Sequence, residues 1–287
     1  MQRFVFYISL LFIKIIGFLP FPLLYILADF FAFLLQNVLQ YRKKVVEANL
    51  AKVFPAYSVE TRKKIMRNFY RHLADITLES IKGFNMSAKA LQKRFVLENP
   101  NLLNDYFDAQ QSIILTSGHL GNWEWATPIF PQVLLHKIIG FYKPIANPYF
   151  DRYVHQKRNK VVLASIKKTA YHFEHFQNKC CNYVLIGDQS PSKLDKAIWV
   201  DFFGVKTACL HGAEFYAKTY NYPVLFGVVK RQKRGYYTVS FSRITDTPTT
   251  EKEGEITQKY MDKVAEAILA QPESWLWSHK RWKHTID

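Results

Sequence analysis

Between residues 95 and about 245, short apolar runs of β type alternate with amphipathic stretches of helical type, and no other feature constrains the fold as tightly. The strand candidates are residues 112–116, 137–142, 161–164, 183–186, 224–229 and 236–241. Helix candidates lie near residues 122–130, 149–159, 168–178 and 210–220. This alternation predicts an α/β fold with a mainly parallel central sheet flanked by helices. In such sheets ligands bind beyond the carboxyl ends of the strands, where the connecting loops gather. Three polar residues fall at those ends: His119 after the first candidate strand, Lys143 after the second and Asp188 after the fourth. The stretch Arg231-Gln232-Lys233-Arg234-Gly235 separates the last two candidates and predicts an exposed hairpin turn.

The loop after the first strand reads Ser117-Gly118-His119-Leu120-Gly121-Asn122-Trp123-Glu124-Trp125. Its glycines let backbone approach a substrate closely. A helix starting near Gly121 would set His119 and Glu124 at the mouth of one turn and offer backbone N–H groups to an oxyanion or phosphate. A histidine held near a carboxylate is a general base: it takes a hydroxyl proton while the carboxylate fixes the tautomer and offsets the imidazolium. Taken alone, the pair is a weak signal, since His and Glu at this spacing also serve as surface or capping residues. P-loop, G-x-G-x-x-G, H-E-x-x-H and G-x-S-x-G patterns are absent, which removes several enzyme classes. The three cysteines include the adjacent pair Cys180-Cys181 and no C-x-x-C, so neither a disulfide framework nor a metal site is expected. Such usage suits a reducing, cytosol-facing setting.

Residues 1–44 hold two apolar runs, 4–19 and 21–39, broken at Pro20 and Pro22 and followed by Tyr41-Arg42-Lys43-Lys44. A helix needs about 20 apolar residues to span a bilayer; the first run is short for that, and the second carries Asp29. With no small-residue cleavage site, a retained membrane anchor is expected rather than a removed signal peptide. The basic cluster would keep the following chain in the cytoplasm. The bland alternative is a buried helical hairpin of a soluble protein. Residues 45–94 read as a helical collar, in which Ile65, Phe69, Leu73 and Ile76 form an apolar stripe. The opposite face, with Arg62, Lys63, Lys64, Arg67 and Arg71, is either solvated or rests on anionic headgroups. A net charge of +16 points to an anionic partner: nucleic acid, a membrane surface or a phosphorylated substrate.

Residues 254–287 combine an amphipathic helix with a tail in which Trp275, Trp277 and Trp282 interleave with Lys280, Arg281 and Lys283. Three readings stay open for these tryptophans: a membrane-interface belt, nucleic-acid stacking or core packing. The apolar loop Phe202-Phe203-Gly204 is either core or one wall of a site for something greasy.

Together, His119-Leu-Gly-Asn-Trp-Glu124, Tyr142-Lys143-Pro144 with Asn147-Pro148 and Asp151, Asp188-Gln189, Phe202-Phe203-Gly204 and the Pro272-Glu273-x-Trp275-x-Trp277-x-His279-x-Arg281-Trp282-Lys283 ending resemble the late (secondary) acyltransferases of lipid A biosynthesis. These are the HxxxxE relatives of the glycerolipid HxxxxD acyltransferases, and the resemblance covers essentially the whole chain. It implies a glycerolipid-acyltransferase-like fold and transfer of a fatty acyl chain from acyl carrier protein or acyl-CoA to a hydroxyl of a glycolipid precursor. It also implies work at the cytoplasmic face of the inner membrane, without cofactor or metal. His119 then matches the catalytic base and Glu124 its partner, with Lys143, Asn147, Arg158 and Asp188 on the substrate side. Lys143 stands where an Arg is usual, which replaces a bidentate phosphate clamp by a point charge. Acceptors other than a lipid A precursor stay open: another glycolipid, a lysophospholipid or an aminolipid. Outside enzymes, the rival is a membrane-tethered basic nucleic-acid-binding module, although no nucleic-acid motif is present and the basic residues are dispersed along the chain.

Overall fold

Seven strands form the central sheet, and two more form a separate hairpin. They are β1 (Phe95–Leu97), β2 (Ile113–Ser117), β3 (Lys137–Tyr142), β4 (Val162–Ser165), β5 (Cys181–Ile186), the hairpin β6 (Ile198–Phe202) and β7 (Val205–Cys209), then β8 (Val224–Lys233) and β9 (Tyr236–Thr245). The computed structural model describes residues 1–284; the end of the predicted tail, residues 285–287, lies outside the described residues. The sheet order is β1-β9-β8-β2-β5-β3-β4, and every neighbouring pair is parallel except β8 with β9. The mainly parallel α/β sheet is therefore present, and all six candidate strands belong to it. Sequence reading missed β1, a three-residue edge strand, and the β6–β7 hairpin, whose apolar corner it took as a loop.

The helices are α1 (Gln2–Phe18), α2 (Phe21–Phe33, continued by a π turn over Leu34–Val38), α3 (Lys43–Val53), α4 (Val59–Gly83), α5 (Ala88–Gln92), α6 (Asn101–Asp108), α7 (Ala126–Val133), α8 (Pro148–Lys157), α9 (Thr169–Phe176), α10 (Gly212–Tyr220) and α11 (Glu255–Ala270). One sheet face is covered by α6 and α7 through Leu103, Ile129 and Phe130. The other is covered by α9 and α10 through Phe173 and Ala217. A third core joins α3 and α4 to α11 and the C-terminal tail through Leu50, Phe69, Met261 and Trp277.

α4 organises the side of the body nearest the chain start. Ser58 caps it by accepting from Thr61 N at 3.1 Å, and Ile65, Phe69 and Ile76 are buried as its stripe requires. It also buries His72, Asp75 and Glu79. Asp75 receives Arg231 Nη2 at 2.6 Å and Arg234 Nη2 at 2.7 Å. The β8–β9 turn is thus folded onto α4, contrary to the expected exposed turn. The ladder persists to Lys233 and Tyr236, which leaves only Arg234-Gly235 in the turn. Gly235 sits at φ +73°, and a Cβ there would lie 2.1 Å from Tyr25 Oη, so both backbone and space call for glycine. Asp75→Ala would leave two guanidinium groups without their buried anion and is expected to cost about 3 kcal/mol of stability, measured as a loss in denaturant midpoint.

In the apolar corner Phe202-Phe203-Gly204, Phe202 is core, buried against Trp275 and Trp282, while Phe203 is partly buried and Gly204 exposed.

Candidate active site

The register of two strands builds the site. β2 and β5 are parallel neighbours in which Ser117 pairs with Ile186. Both chains leave the sheet at the same level, so His119 and Asp188, each two residues further on, come face to face. His119 Nδ1 lies 2.6 Å from Asp188 Oδ1, and the His119 backbone N–H donates to Asp188 Oδ2 at 2.9 Å. Trp275 Nε1 donates to the same Oδ2 at 2.8 Å. Asp188 is 1% exposed, behind the ring, while the His119 side chain is 19% exposed and lines a cavity of about 750 Å³. The carboxylate assigns the proton to Nδ1 and leaves Nε2 as the free base. Gln189 Nε2 stands 3.3 Å from that nitrogen.

Burial pulls the His119 imidazole down, but the Asp188 charge and hydrogen bond outweigh it, and the net direction is up from 6.5. Burial pushes Asp188 up, yet the His119 charge, its two hydrogen bonds and the Trp275 indole prevail and hold the carboxyl at about 2. Asp188 is thus an anion whenever His119 has to act as a base.

Glu124 is not the carboxylate at Nδ1. Its Oε2 accepts from Arg158 Nη2 at 2.5 Å, and both residues line the cavity. The difference arises from local backbone. The helix expected over residues 122–130, starting near Gly121, starts later: Trp123–Trp125 form a 3₁₀ turn and α7 begins at Ala126. Gly121 turns the chain at φ +56°, and a Cβ there would lie 3.0 Å from the Val229 carbonyl. The loop amides are also occupied. His119 N–H binds Asp188, Leu120 N–H binds the Gly118 carbonyl at 2.8 Å, and Gly121 N–H binds the Ser274 carbonyl at 3.1 Å. These three N–H groups are therefore not free to receive an oxyanion, which removes most of the amide cradle expected for this loop.

The remaining sequence candidates divide. Lys143 is exposed and lines the same cavity, and Arg158 lines it in contact with Glu124. Asn147 does not line it. Its Oδ1 caps α8 by accepting from Tyr149 N–H at 3.0 Å, and its Nδ2 donates to the Gln2 carbonyl of α1 at 3.0 Å. Asp188 is packed behind His119 and does not line the cavity. The cavity walls are mostly apolar and include Phe130, Ile138, Val184, Leu210 and Tyr216.

Sequence reasoning missed the part played by the tail. Trp275 and Trp277 are buried at 2% and 0% exposure, Trp282 packs on Phe202, and Leu120 bridges to Trp275. The tryptophans are core, so the interface-belt reading of the tail is set aside. Trp275 also clamps Asp188. Trp275→Phe keeps the ring and removes the donor. It is expected to lower kcat by on the order of 10-fold at unchanged KM, read from initial rates, because outer-shell partners of a catalytic group carry effects of that size.

Residues 1–284 match the family described as bacterial lipid A biosynthesis acyltransferase. A lipid A biosynthesis acyltransferase of Haemophilus influenzae is 23% identical over 279 residues, covering 94% of this chain and 87% of the relative. A lipid A biosynthesis lauroyltransferase of Escherichia coli is 22% identical over 281 residues, covering 92% and 87%. With a family match over nearly every residue, the chain belongs to the bacterial lipid A biosynthesis acyltransferases.

Proposed function

We propose that the protein transfers a fatty acyl chain from a thioester, carried by acyl carrier protein or coenzyme A, to a hydroxyl of a lipid A precursor at the cytoplasmic face of the inner membrane. The observation that carries the reading is the His119–Asp188 pair opening onto an apolar cavity of about 750 Å³. His119 Nε2 removes the hydroxyl proton as that oxygen attacks the thioester carbonyl. Asp188 holds the tautomer and offsets the imidazolium. The new C–O bond forms, the C–S bond breaks, and the departing thiolate takes the proton back from His119. Gln189, beside His119 Nε2, and the Arg158 guanidinium both line the cavity and supply donors for the developing oxyanion. Glu124 positions Arg158, replacing the direct His119–Glu124 pairing expected from spacing. Lys143 and Arg158 attract phosphate on the acceptor or on the carrier's pantetheine arm.

The test is an assay of purified protein with acyl carrier protein and coenzyme A thioesters against a lipid A precursor, a lysophospholipid and an aminolipid. The expected result is one free thiol for each ester formed, on the lipid A precursor. Ester formed only on another acceptor moves the substrate, and thiol release without ester contradicts the transfer.

A further inference from the structure

We propose that α1 and α2 form a monotopic hairpin that lies within one leaflet of an anionic phospholipid bilayer, on the side of the catalytic body, and does not cross it. The inference rests on the membrane part of the reading above and is independent of the acyl-transfer chemistry.

α1 turns a continuous apolar stripe outward: Phe4, Tyr7, Ile8, Leu11, Phe12 and Ile15 are all exposed at helical spacing. α2 adds Leu23, Ile26, Phe30 and Phe33. Its opposite face, Leu24, Ala28 and Ala32, is buried against Ala74 and Leu78 of α4. An apolar surface of this extent marks an interaction site. Charge identifies the occupant as lipid of negative sign. Residues 1–44 carry Arg3, Lys14, Arg42, Lys43 and Lys44 against a single acid, Asp29, which is already paired. Basic residues flanking an apolar helical face match an interfacial helix drawn to anionic headgroups.

The fastenings exclude a crossing. At the elbow, Lys82 Nζ donates to the Gly17 carbonyl at 2.8 Å and to the Leu19 carbonyl at 2.7 Å. Midway along α2, Asp29 binds Arg234 at 2.6 Å, and Arg234 also holds the buried Asp75. Near its start, α1 accepts Asn147 Nδ2 at the Gln2 carbonyl, and Phe6 packs on Tyr149, Phe150 and Tyr153 of α8. Carrying α2 through a bilayer would break the Asp29–Arg234–Asp75 network or drag it into hydrocarbon. Length leaves no surplus for a crossing: the 17 residues of α1 reach about 26 Å and the 18 residues of the apolar run Phe21–Val38 about 27 Å, both a little under a hydrocarbon core of about 30 Å, so the fastenings decide. Since α8 leads directly into Arg158 at the cavity, a hairpin lying in the leaflet holds the cavity mouth beside the headgroups.

Phe18, 86% exposed at the elbow, reports the depth. The full-length chain carries Cys180→Ser and Phe18→Cys, is labelled at Cys with a nitrobenzoxadiazole dye, and is added to preformed phosphatidylethanolamine–phosphatidylglycerol vesicles. The expected result is tight binding, with nearly all bound fluorescence bleached by external dithionite. Adding Ile26→Ser, Phe30→Ser and Phe33→Ser, all at exposed positions, should lower binding at least tenfold with circular dichroism and melting unchanged. Fluorescence that resists external dithionite until the vesicles are lysed overturns the proposal, as does absence of binding or undiminished binding by the triple variant. In right-side-out vesicles from cells that make the unlabelled Phe18→Cys chain, a membrane-impermeant maleimide should leave Cys at this position unmodified; modification from that side would establish a crossing and also overturn it.

Discussion

Asp188→Asn is expected to lower kcat by on the order of 10³-fold and to move the acid limb of kcat/KM to lower pH. The sign follows from the two influences on His119. In the native site burial lowers the imidazole and the Asp188 carboxylate more than restores it, so the base deprotonates above pH 6.5 and activity rises with pH through that range. With asparagine the Asp188 charge is gone and burial, the largest influence, is opposed only by the Glu124 charge, so the limb moves to lower pH. The rate falls even where His119 is neutral, because an amide no longer fixes the proton on Nδ1 or stabilises the imidazolium. The fold should survive, since the asparagine carbonyl can still accept from Trp275 and from the His119 backbone. A pH–rate profile of both proteins checks this. An unchanged plateau, or a limb displaced upward, would show that Asp188 does not serve His119.

His119→Ala removes the proposed base and is expected to reduce single-turnover transfer to the acceptor hydroxyl by on the order of 10⁴-fold, leaving only the residual rate that binding and positioning supply. Binding of the acyl donor should change little, because the apolar cavity walls come from other residues. The imidazole's aromatic neighbour is Trp123 at 5.1 Å between ring centres, and the ring is partly exposed, so the substitution leaves no large internal void. The variant should therefore melt near the native temperature, which separates a lost base from a lost fold.

The sequence made the sheet legible because its inner strands are strongly apolar and bounded by turn residues. β1 escaped notice because three residues at a sheet edge carry no periodicity. β6 and β7 escaped because their corner, Phe202-Phe203-Gly204, is apolar where turn chemistry is normally polar. The site was partly legible. The strand-end rule brought His119, Lys143 and Asp188 into one region, where His119 and Lys143 line the cavity and Asp188 holds the His119 ring from behind. Spacing along the chain then favoured Glu124 as its partner. The actual carboxylate at Nδ1 is 69 residues away, supplied by the register of β2 against β5. That register is a property of strand pairing, and no local pattern encodes it. The β8–β9 turn misled for a related reason: Arg231 and Arg234 look like solvent residues until the anions Asp75 and Asp29, far off in sequence, are brought beneath them. The tail stayed ambiguous because Trp among Lys and Arg reads as amphipathic; of the three open readings core packing holds for Trp275 and Trp277, which face inward, and Trp275 holds Asp188.

The most direct measurement is mass spectrometry of lipid A from a bacterial strain that lacks its own late acyltransferases and expresses this chain or its His119→Ala form. A gain of one acyl chain on lipid A with the native chain, absent with His119→Ala at equal membrane abundance, is the predicted result. Unchanged lipid A, with both proteins folded in the membrane and suitable donors present, would contradict the account.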